Sequence, residues 1–199
     1  MSDPLAPVIA ALTRESGASS DFDLNPEMTL PPARRLRPAG VLVAFTLRAG
    51  VPHVILTKRA SHLKHHPGQI AFPGGKQDEG DADVIATALR EAEEEIGLPP
   101  DRVEILGHLP NHETVTAFNM TPVLGRITDH FEIRPEPGEV DEVFFVPFHH
   151  LSDPARYSVQ ARRWQGRWRY YQTIPYGPYY IWGATARVLY GLAQRMAAS

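Results

Sequence analysis

No cysteine occurs among the 199 residues. Disulfide frameworks, Cys-based zinc sites and thiol nucleophiles are therefore excluded, and a reducing, cytoplasmic home is compatible. No unbroken run of about 18 apolar residues exists, so no helix is expected to span a bilayer. The start also lacks the basic flank of an export signal: Met1-Ser2-Asp3-Pro4 leads into a short apolar stretch over 5–12 that Pro7 interrupts. A strong excess of either charge is missing as well. Twenty basic residues against 23 acidic ones leave a net −3, which argues against a protein that coats polyanions. Internal repeats and low-complexity segments are absent too.

Proline, in contrast, is abundant: 19 residues, roughly twice the usual share of about 5%. Together with Gly17, Ser19, Ser20 and Asn25, four prolines (Pro26, Pro31, Pro32, Pro38) mark an irregular arm over 15–39. Before it, Asp3 reads as a helix N-cap with Pro4 in the first turn, opening a short amphipathic helix to about Arg14. The organisation expected is an N-terminal helix and arm over 1–35, then one domain over 36–199.

Within that domain, β-branched and apolar runs predict strands over 40–47 and 53–58, a short one over 69–72, and further ones over 103–109, 121–127 and 143–147. Pro73-Gly74-Gly75 reads as a turn. From about residue 83 to 96 the period becomes helical: Ile85, Leu89, Ala92 and Ile96 fall on one arc, Gly97 stops the helix and Pro99-Pro100 bars its return. Residues 164–167 suggest a turn between two aromatic-rich strands, and 181–196 a closing helix with Trp182, Ala186, Leu189, Ala193 and Met196 on one stripe. Mixed strands with a central and a terminal helix argue a single α/β or α+β domain.

The chemistry concentrates on the central helix. Opposite its apolar stripe, Glu91 stands three and four residues before Glu94 and Glu95, so the three carboxylates are neighbours that repel unless a cation sits among them. Hard divalent ions take one or two carboxylates together with water and substrate phosphates. Arg90 reaches Glu94 one turn on and can hold a carboxylate in place. Just upstream, Gly74-Gly75 offers backbone that a metal or phosphate can approach closely, and the loop between is itself acidic, with Asp78, Glu79, Asp81 and Asp83.

Gly75, this acidic loop and Arg90-Glu91-x-x-Glu94-Glu95-x-Gly97-Leu98 together resemble the Nudix box, Gly-x5-Glu-x7-Arg-Glu-U-x-Glu-Glu-x-Gly-U with U a bulky aliphatic residue. The second half matches closely apart from the small Ala92 at the first U. The first half departs: Arg90 comes one residue late, and the place of the early Glu holds Ala82, with Asp81 beside it. Immediately before the box, Leu56-Thr57-Lys58-Arg59-Ala60, Lys64, Gly68 and Phe72-Pro73-Gly74-Gly75 resemble the motif of the coenzyme A pyrophosphatase branch of Nudix hydrolases, with Lys64 where that branch usually has Arg. Residues 181–186 are also similar to this branch.

The resemblance implies a Nudix-type α/β/α sandwich with a mixed β-sheet and a metal-dependent hydrolase. Such an enzyme would cut coenzyme A into 3′,5′-ADP and 4′-phosphopantetheine. Glu91 and Glu95 would bind Mg²⁺ or Mn²⁺, with Glu94 as a further ligand or as base and the Gly75 carbonyl completing the shell. Arg59 and Lys64 would take substrate phosphates. A later acid, Glu139 or Glu142, would serve as ligand or base; the residues favoured for catalysis are Glu94, Arg90 and Glu142. Rival readings are a Nudix hydrolase of another nucleoside diphosphate such as ADP-ribose, a non-catalytic nucleotide-binding module, and an RNA-binding module. The last rests on Arg162-Arg163-Trp164 and Arg167-Trp168-Arg169-Tyr170-Tyr171, whose alternation fits better a hairpin with inward rings and outward arginines. The expected partner is a small coenzyme A-like diphosphate rather than nucleic acid or membrane, and the hairpin and arm could serve a homodimer.

Overall fold

The computed structural model describes residues 3–28, 34–164 and 166–198. In chain order these form α1 (Ala6–Leu12), β1 (Ser19–Ser20), β2 (Arg37–Arg48), β3 (Val51–Arg59), β4 (Ile70–Ala71), β5 (Gly74–Lys76), α2 (Val84–Ile96), β6 (Val103–His108), β7 (His112–Glu113), β8 (Phe118–Ile127), β9 (Val140–Pro147), α3 (Phe148–Leu151), β10 (Ser158–Trp164), β11 (Arg167–Thr173) and α4 (Ala184–Ala197).

The apolar run at 41–45 is buried from end to end because β2 lies inside the sheet, parallel to β8 on one side and antiparallel to β3 and β5 on the other. One mixed sheet results, in the order β1-β7-β8-β2-β3-β4, with β9 on β3 and β6 on β8. Period-two alternation divides its side chains between two layers. Leu42, Ala44, Ile55 and Val123 face α2 and pack on Ala88, Ala92 and Ile96. Val41, Val43, Phe45, Val54, Leu56 and Val146 face the other way, onto α1, α3 and α4. The architecture is thus the mixed-sheet α/β/α sandwich that the family resemblance implies, and it agrees with the single α/β or α+β domain read from the strand and helix pattern. No helix among the described residues is long and apolar enough to cross a membrane.

Several boundaries differ from the sequence reading. Asp3 caps a turn rather than the helix: its Oδ1 accepts from the Leu5 N–H at 2.9 Å, and α1 starts at Ala6 with Pro7, not Pro4, in its first turn. The helix also stops at Leu12, short of Arg14. Gly74 and Gly75 are strand as well as turn, since β5 pairs with β2 through Gly75 and Gly40. Ile181 and Trp182 precede α4, which opens after Gly183; Ile181 is buried and Trp182 bridges to Thr173. Ala186, Leu189 and Ala193 make the buried stripe, with Met196 packed at its margin.

The arm and α1 belong to the same core as the sheet: Leu5, Val8 and Ala11 are buried in one cluster with Phe45, Leu56 and Leu189. The irregular arm expected over 15–39 falls partly on 29–33, which lie outside the described residues. The aromatic hairpin forms, pairing Trp164 with Arg167; Gln165 of its turn also lies outside the described residues. Its alternation, however, is the reverse of the expected one on β11. Arg169 points inward at 6% exposure, while Trp168 and Tyr170 are 55% and 43% exposed. The reason is Asp21 of the arm, which is buried and ion-paired with Arg169 at 3.2 Å. Asp21 also accepts from the Val115 N–H at 2.8 Å and faces His112. Burial opposes its ionisation, but these partners together hold its carboxyl below the ordinary value.

Candidate active site

The site is built where α2 meets β5. Asp83 fixes the start of α2, its Oδ1 accepting from the N–H groups of Ile85 and Ala86 at 2.9 and 2.8 Å, a cap worth about 1 kcal/mol. Gly97 ends the helix in the left-handed region at φ 72°, a conformation glycine adopts without the clash a Cβ would bring. Between these stops the acids fall on the face turned toward β5.

Glu95 is the most buried charge-bearing side chain of this group, at 3% exposure. Its Oε2 accepts from the Gly74 N–H at 3.3 Å. Burial pushes its pKa up to about 8; the Gly74 N–H and Arg59 oppose the rise, while the charges of Glu91 and Glu139 add to it. Glu91 is also raised, chiefly by burial, with Glu94 and Glu139 adding and Arg90 opposing. Gly75 is required beside it: a Cβ there would stand 2.4 Å from the Glu91 carboxyl carbon and 2.5 Å from its oxygens.

Arg90 organises the rest. Its Nη1 lies 3.0 Å from Glu91 Oε1 and 2.9 Å from Glu94 Oε2. Its Nε and Nη2 donate to the two oxygens of Asp81 at 2.9 and 3.0 Å. Asp81 is held in turn by the Thr87 hydroxyl and the Asp78 N–H, both at 2.9 Å. The Arg90 fork, before the other bonds, keeps the Asp81 carboxyl well below the usual carboxylate range. Asp81, the acid next to the place where the box expects its early Glu, is thus the partner of the Arg90 fork.

The two later acids part company. Glu139 adds to the raised pKa values of Glu91 and Glu95, and its loop docks on the end of α2: the Glu136 N–H donates to the Glu95 carbonyl and the Glu139 N–H to the Glu136 carbonyl, both at 2.9 Å. Glu142 does not join the α2 acids. It shares the side of β9 that carries Phe144 and Val146, the layer opposite α2, and accepts a hydrogen bond from the Tyr179 hydroxyl. The register shift between the pairs Lys58–Glu142 and Arg59–Val140 separates the two acids. Tyr179 was not singled out from sequence; nothing but its place in an aromatic run marks it.

Arg59 ends β3 close enough to Glu95 to favour its ionised form. Lys64 is exposed on the loop between β3 and β4. A cavity of about 480 Å³ between the arm and α4 holds Arg14, Arg187 and Arg195 but none of these acids; it is remote from the chemistry described.

The donor set fits a divalent cation. Glu95 and Glu91 are hard oxygen ligands, buried together, that are difficult to ionise as they stand, and an added cation would reverse that penalty. The backbone of Gly75 is held against Glu91 with no side chain between. Among the described residues no three His, Asp or Glu side chains are already gathered at metal-holding distances, so an ion would draw the set closer.

A family profile described as the NUDIX domain matches residues 36–171. A protein of Pectobacterium atrosepticum named "Uncharacterized Nudix hydrolase NudL" is 39% identical over 181 residues, covering 88% of this chain and 93% of that protein. Its namesake in Enterobacter sp. is 42% identical over 170 residues, covering 85% and 88%. Among solved structures, the MutT protein of Methanosarcina mazei Go1 superposes with a TM-score of 0.52 at 16% identity over 86% of this chain and all of that one. A MutT/nudix family protein of Enterococcus faecalis gives 0.52 at 14% identity, over 87% and 66%.

Proposed function

Starting from a chain that belongs to the Nudix hydrolase family, we propose that it is a metal-dependent pyrophosphatase of coenzyme A or its derivatives, yielding 3′,5′-ADP and 4′-phosphopantetheine. The observation that carries the reading is the buried Glu91–Glu95 pair against Gly74-Gly75, directly continuous with Arg59 and the coenzyme A-type motif over 56–75. The absence of cysteine fits work in the reducing cytoplasm.

Glu91 and Glu95 would hold Mg²⁺ or Mn²⁺, with Glu94 and the Gly75 carbonyl as candidates for further oxygens. A bound divalent ion supplies charge neutralisation of the diphosphate and a more acidic water. The chain's own groups do the remainder. Arg90, anchored on Asp81, fixes the rotamers of Glu91 and Glu94. Arg59 and Lys64 take phosphate oxygens, Lys64 as a point charge rather than a fork. Glu139, exposed at the mouth of the acid cluster, takes the proton of the attacking water. The water oxygen bonds to one phosphorus, the bridging P–O bond breaks opposite it, and the bridging oxygen leaves on the other phosphate. Glu142, on the other side of the sheet, has no part in that step.

The test is product mass from coenzyme A, dephospho-coenzyme A and ADP-ribose with Mg²⁺ or Mn²⁺. Coenzyme A should be cut fastest, and dephospho-coenzyme A more slowly for want of its 3′-phosphate. Turnover of ADP-ribose alone would transfer the assignment to another nucleoside diphosphate.

A further inference from the structure

Glu142, left over from the acid cluster, lines a second cleft of about 330 Å³ with Lys58, Gly68, Tyr179, Tyr180 and Trp182. That volume lies at the small end of the range for ligand pockets, about 300–1,000 Å³, so it suits one ring system and not a whole dinucleotide-sized molecule. Its charges balance: one ammonium, one carboxylate. Phosphate would meet the Glu142 carboxylate there, whereas an uncharged, flat, amine-bearing group would not be repelled.

The polar groups are arranged for such a ring. Glu142 Oε1 accepts from the Tyr179 hydroxyl, and its Oε2 receives no hydrogen bond from a described residue. Tyr179 is itself fixed by stacking on Phe144, rings 3.6 Å apart and nearly parallel. Trp182 is held by the Arg162 guanidinium at 4.3 Å and by the Tyr171 ring edge-on at 5.1 Å. Tyr180 is 45% exposed, with its hydroxyl 3.3 Å from that of Tyr171. Aromatic walls therefore stand preset beside a carboxylate oxygen to which no described residue donates. Lys58 brings a donor to the same cleft and has no carboxylate within ion-pair distance among the described residues.

The cleft also adjoins the diphosphate site. Lys58 precedes Arg59, and the Gly68 N–H donates to the Arg59 carbonyl at 3.0 Å, so one wall of the cleft is built on the residue that stands by Glu95.

We infer that this cleft is the nucleobase subsite: an adenine ring lies against Trp182 and Tyr180, and its exocyclic amine donates to Glu142, which reads amino-bearing against oxo-bearing purines. This rests on the reading of the chain as a nucleoside diphosphate hydrolase and names how it would choose its base. The pantetheine end, flexible and without a ring, belongs on the far side of the diphosphate.

The experiment uses binding, so it does not depend on turnover. The full chain carrying Trp164→Phe and Trp168→Phe leaves Trp182 as the sole tryptophan, and its emission is followed as AMP, IMP or 4′-phosphopantetheine is added. AMP should quench it, with IMP about 10-fold weaker. Adding Glu142→Gln should weaken AMP by about 10-fold and erase the difference from IMP. In turnover assays the same variant should raise KM for adenine substrates far more than it lowers kcat. Equal response to AMP and IMP, no response to either, or a stronger response to 4′-phosphopantetheine overturns the inference. Coenzyme A hydrolysis with a cleft blind to AMP would sink the subsite and leave the activity standing; AMP binding without hydrolysis would do the reverse.

Discussion

Arg90 grips Asp81 with two near-parallel bonds, Nε to Oδ1 at 2.9 Å and Nη2 to Oδ2 at 3.0 Å, while its remaining nitrogen lies between Glu91 and Glu94. A carboxylate from the loop before the helix thus sets the side chains of Glu91 and Glu94. Asp81→Asn keeps the shape but surrenders the charge-assisted fork. It should lower kcat about 10- to 100-fold, the usual loss when a group supporting metal ligands is removed. Arg90→Lys should cost as much, because an ammonium cannot reproduce the fork. A wild-type rate in Asp81→Asn would show that Arg90 needs no anchor.

Glu95 makes the metal-free protein sensitive to pH. Its folded pKa of about 8 lies above the ordinary carboxylate value, so the folded state holds the proton more tightly than the unfolded one. This contribution is fully present below the unfolded pKa and is lost as pH rises through about 8, at about 1.4 kcal/mol per pH unit where Glu95 is the group titrating. His66 and His150, whose pKa values burial lowers, act in the opposite sense, so the comparison is wild type against Glu95→Gln. Thermal melts in chelator from pH 5.5 to 8.5 should show the variant gaining on wild type as pH rises. Mn²⁺ should raise the wild-type melting temperature at pH 8 and leave Glu95→Gln nearly unmoved.

Gly75→Ala tests the approach of β5 to the helix. The added methyl would overlap the Glu91 carboxylate and push it off its site. Activity should fall about 100-fold, the scale set by misplacing a reacting group by about 1 Å. Far-UV circular dichroism should stay as in wild type. A Gly75→Ala enzyme with normal metal dependence would mean that Glu91 is not a ligand.

The two later acids should separate by kinetic parameter. Glu139→Gln should lower kcat by roughly 100-fold or more, as expected for loss of a general base, and flatten the acid limb of the pH–rate profile. Glu142→Gln should register in KM. The opposite pattern would restore Glu142 to the chemistry.

Arg169 and Asp21 form a buried ion pair, and removing one partner strands the other. Arg169→Met or Asp21→Ala should each cost about 3–5 kcal/mol in denaturant unfolding, and the double substitution less than the sum. Additive losses would mean the pair carries no coupling.

Much of this site was legible because chemistry constrained spacing. Glu91, Glu94 and Glu95 must share a helix face, and Gly75 must stay bare, so both leave a pattern in the chain. The strands at 40–47 and 53–58 were equally plain, as buried runs are. What the sequence concealed depends on contacts distant in the chain. Arg169 reads as a surface residue until Asp21, 148 positions earlier, is brought against it. Glu139 and Glu142 are indistinguishable acids until the chain is folded: Glu142 sits within β9 opposite Lys58, whereas Glu139 precedes the strand in the loop that docks on the end of α2. Asp81 reaches Arg90, nine residues on, only through the path of the loop between β5 and α2, and a loop's path is not written in its composition.

The helical layer opposite α2 lies largely outside the span that identifies the family. A chain trimmed to 36–171 would lack α1 and α4. Val43, Phe45, Val54 and Leu56, all fully covered in the intact protein, would then keep only the short α3 for cover, with Phe148 against Phe45, and the rest of that apolar face would be open. Such a fragment would keep every acid of the catalytic cluster and still be insoluble, associating face to face through its exposed apolar side. Activity would be lost to aggregation, with each ligand in the site intact.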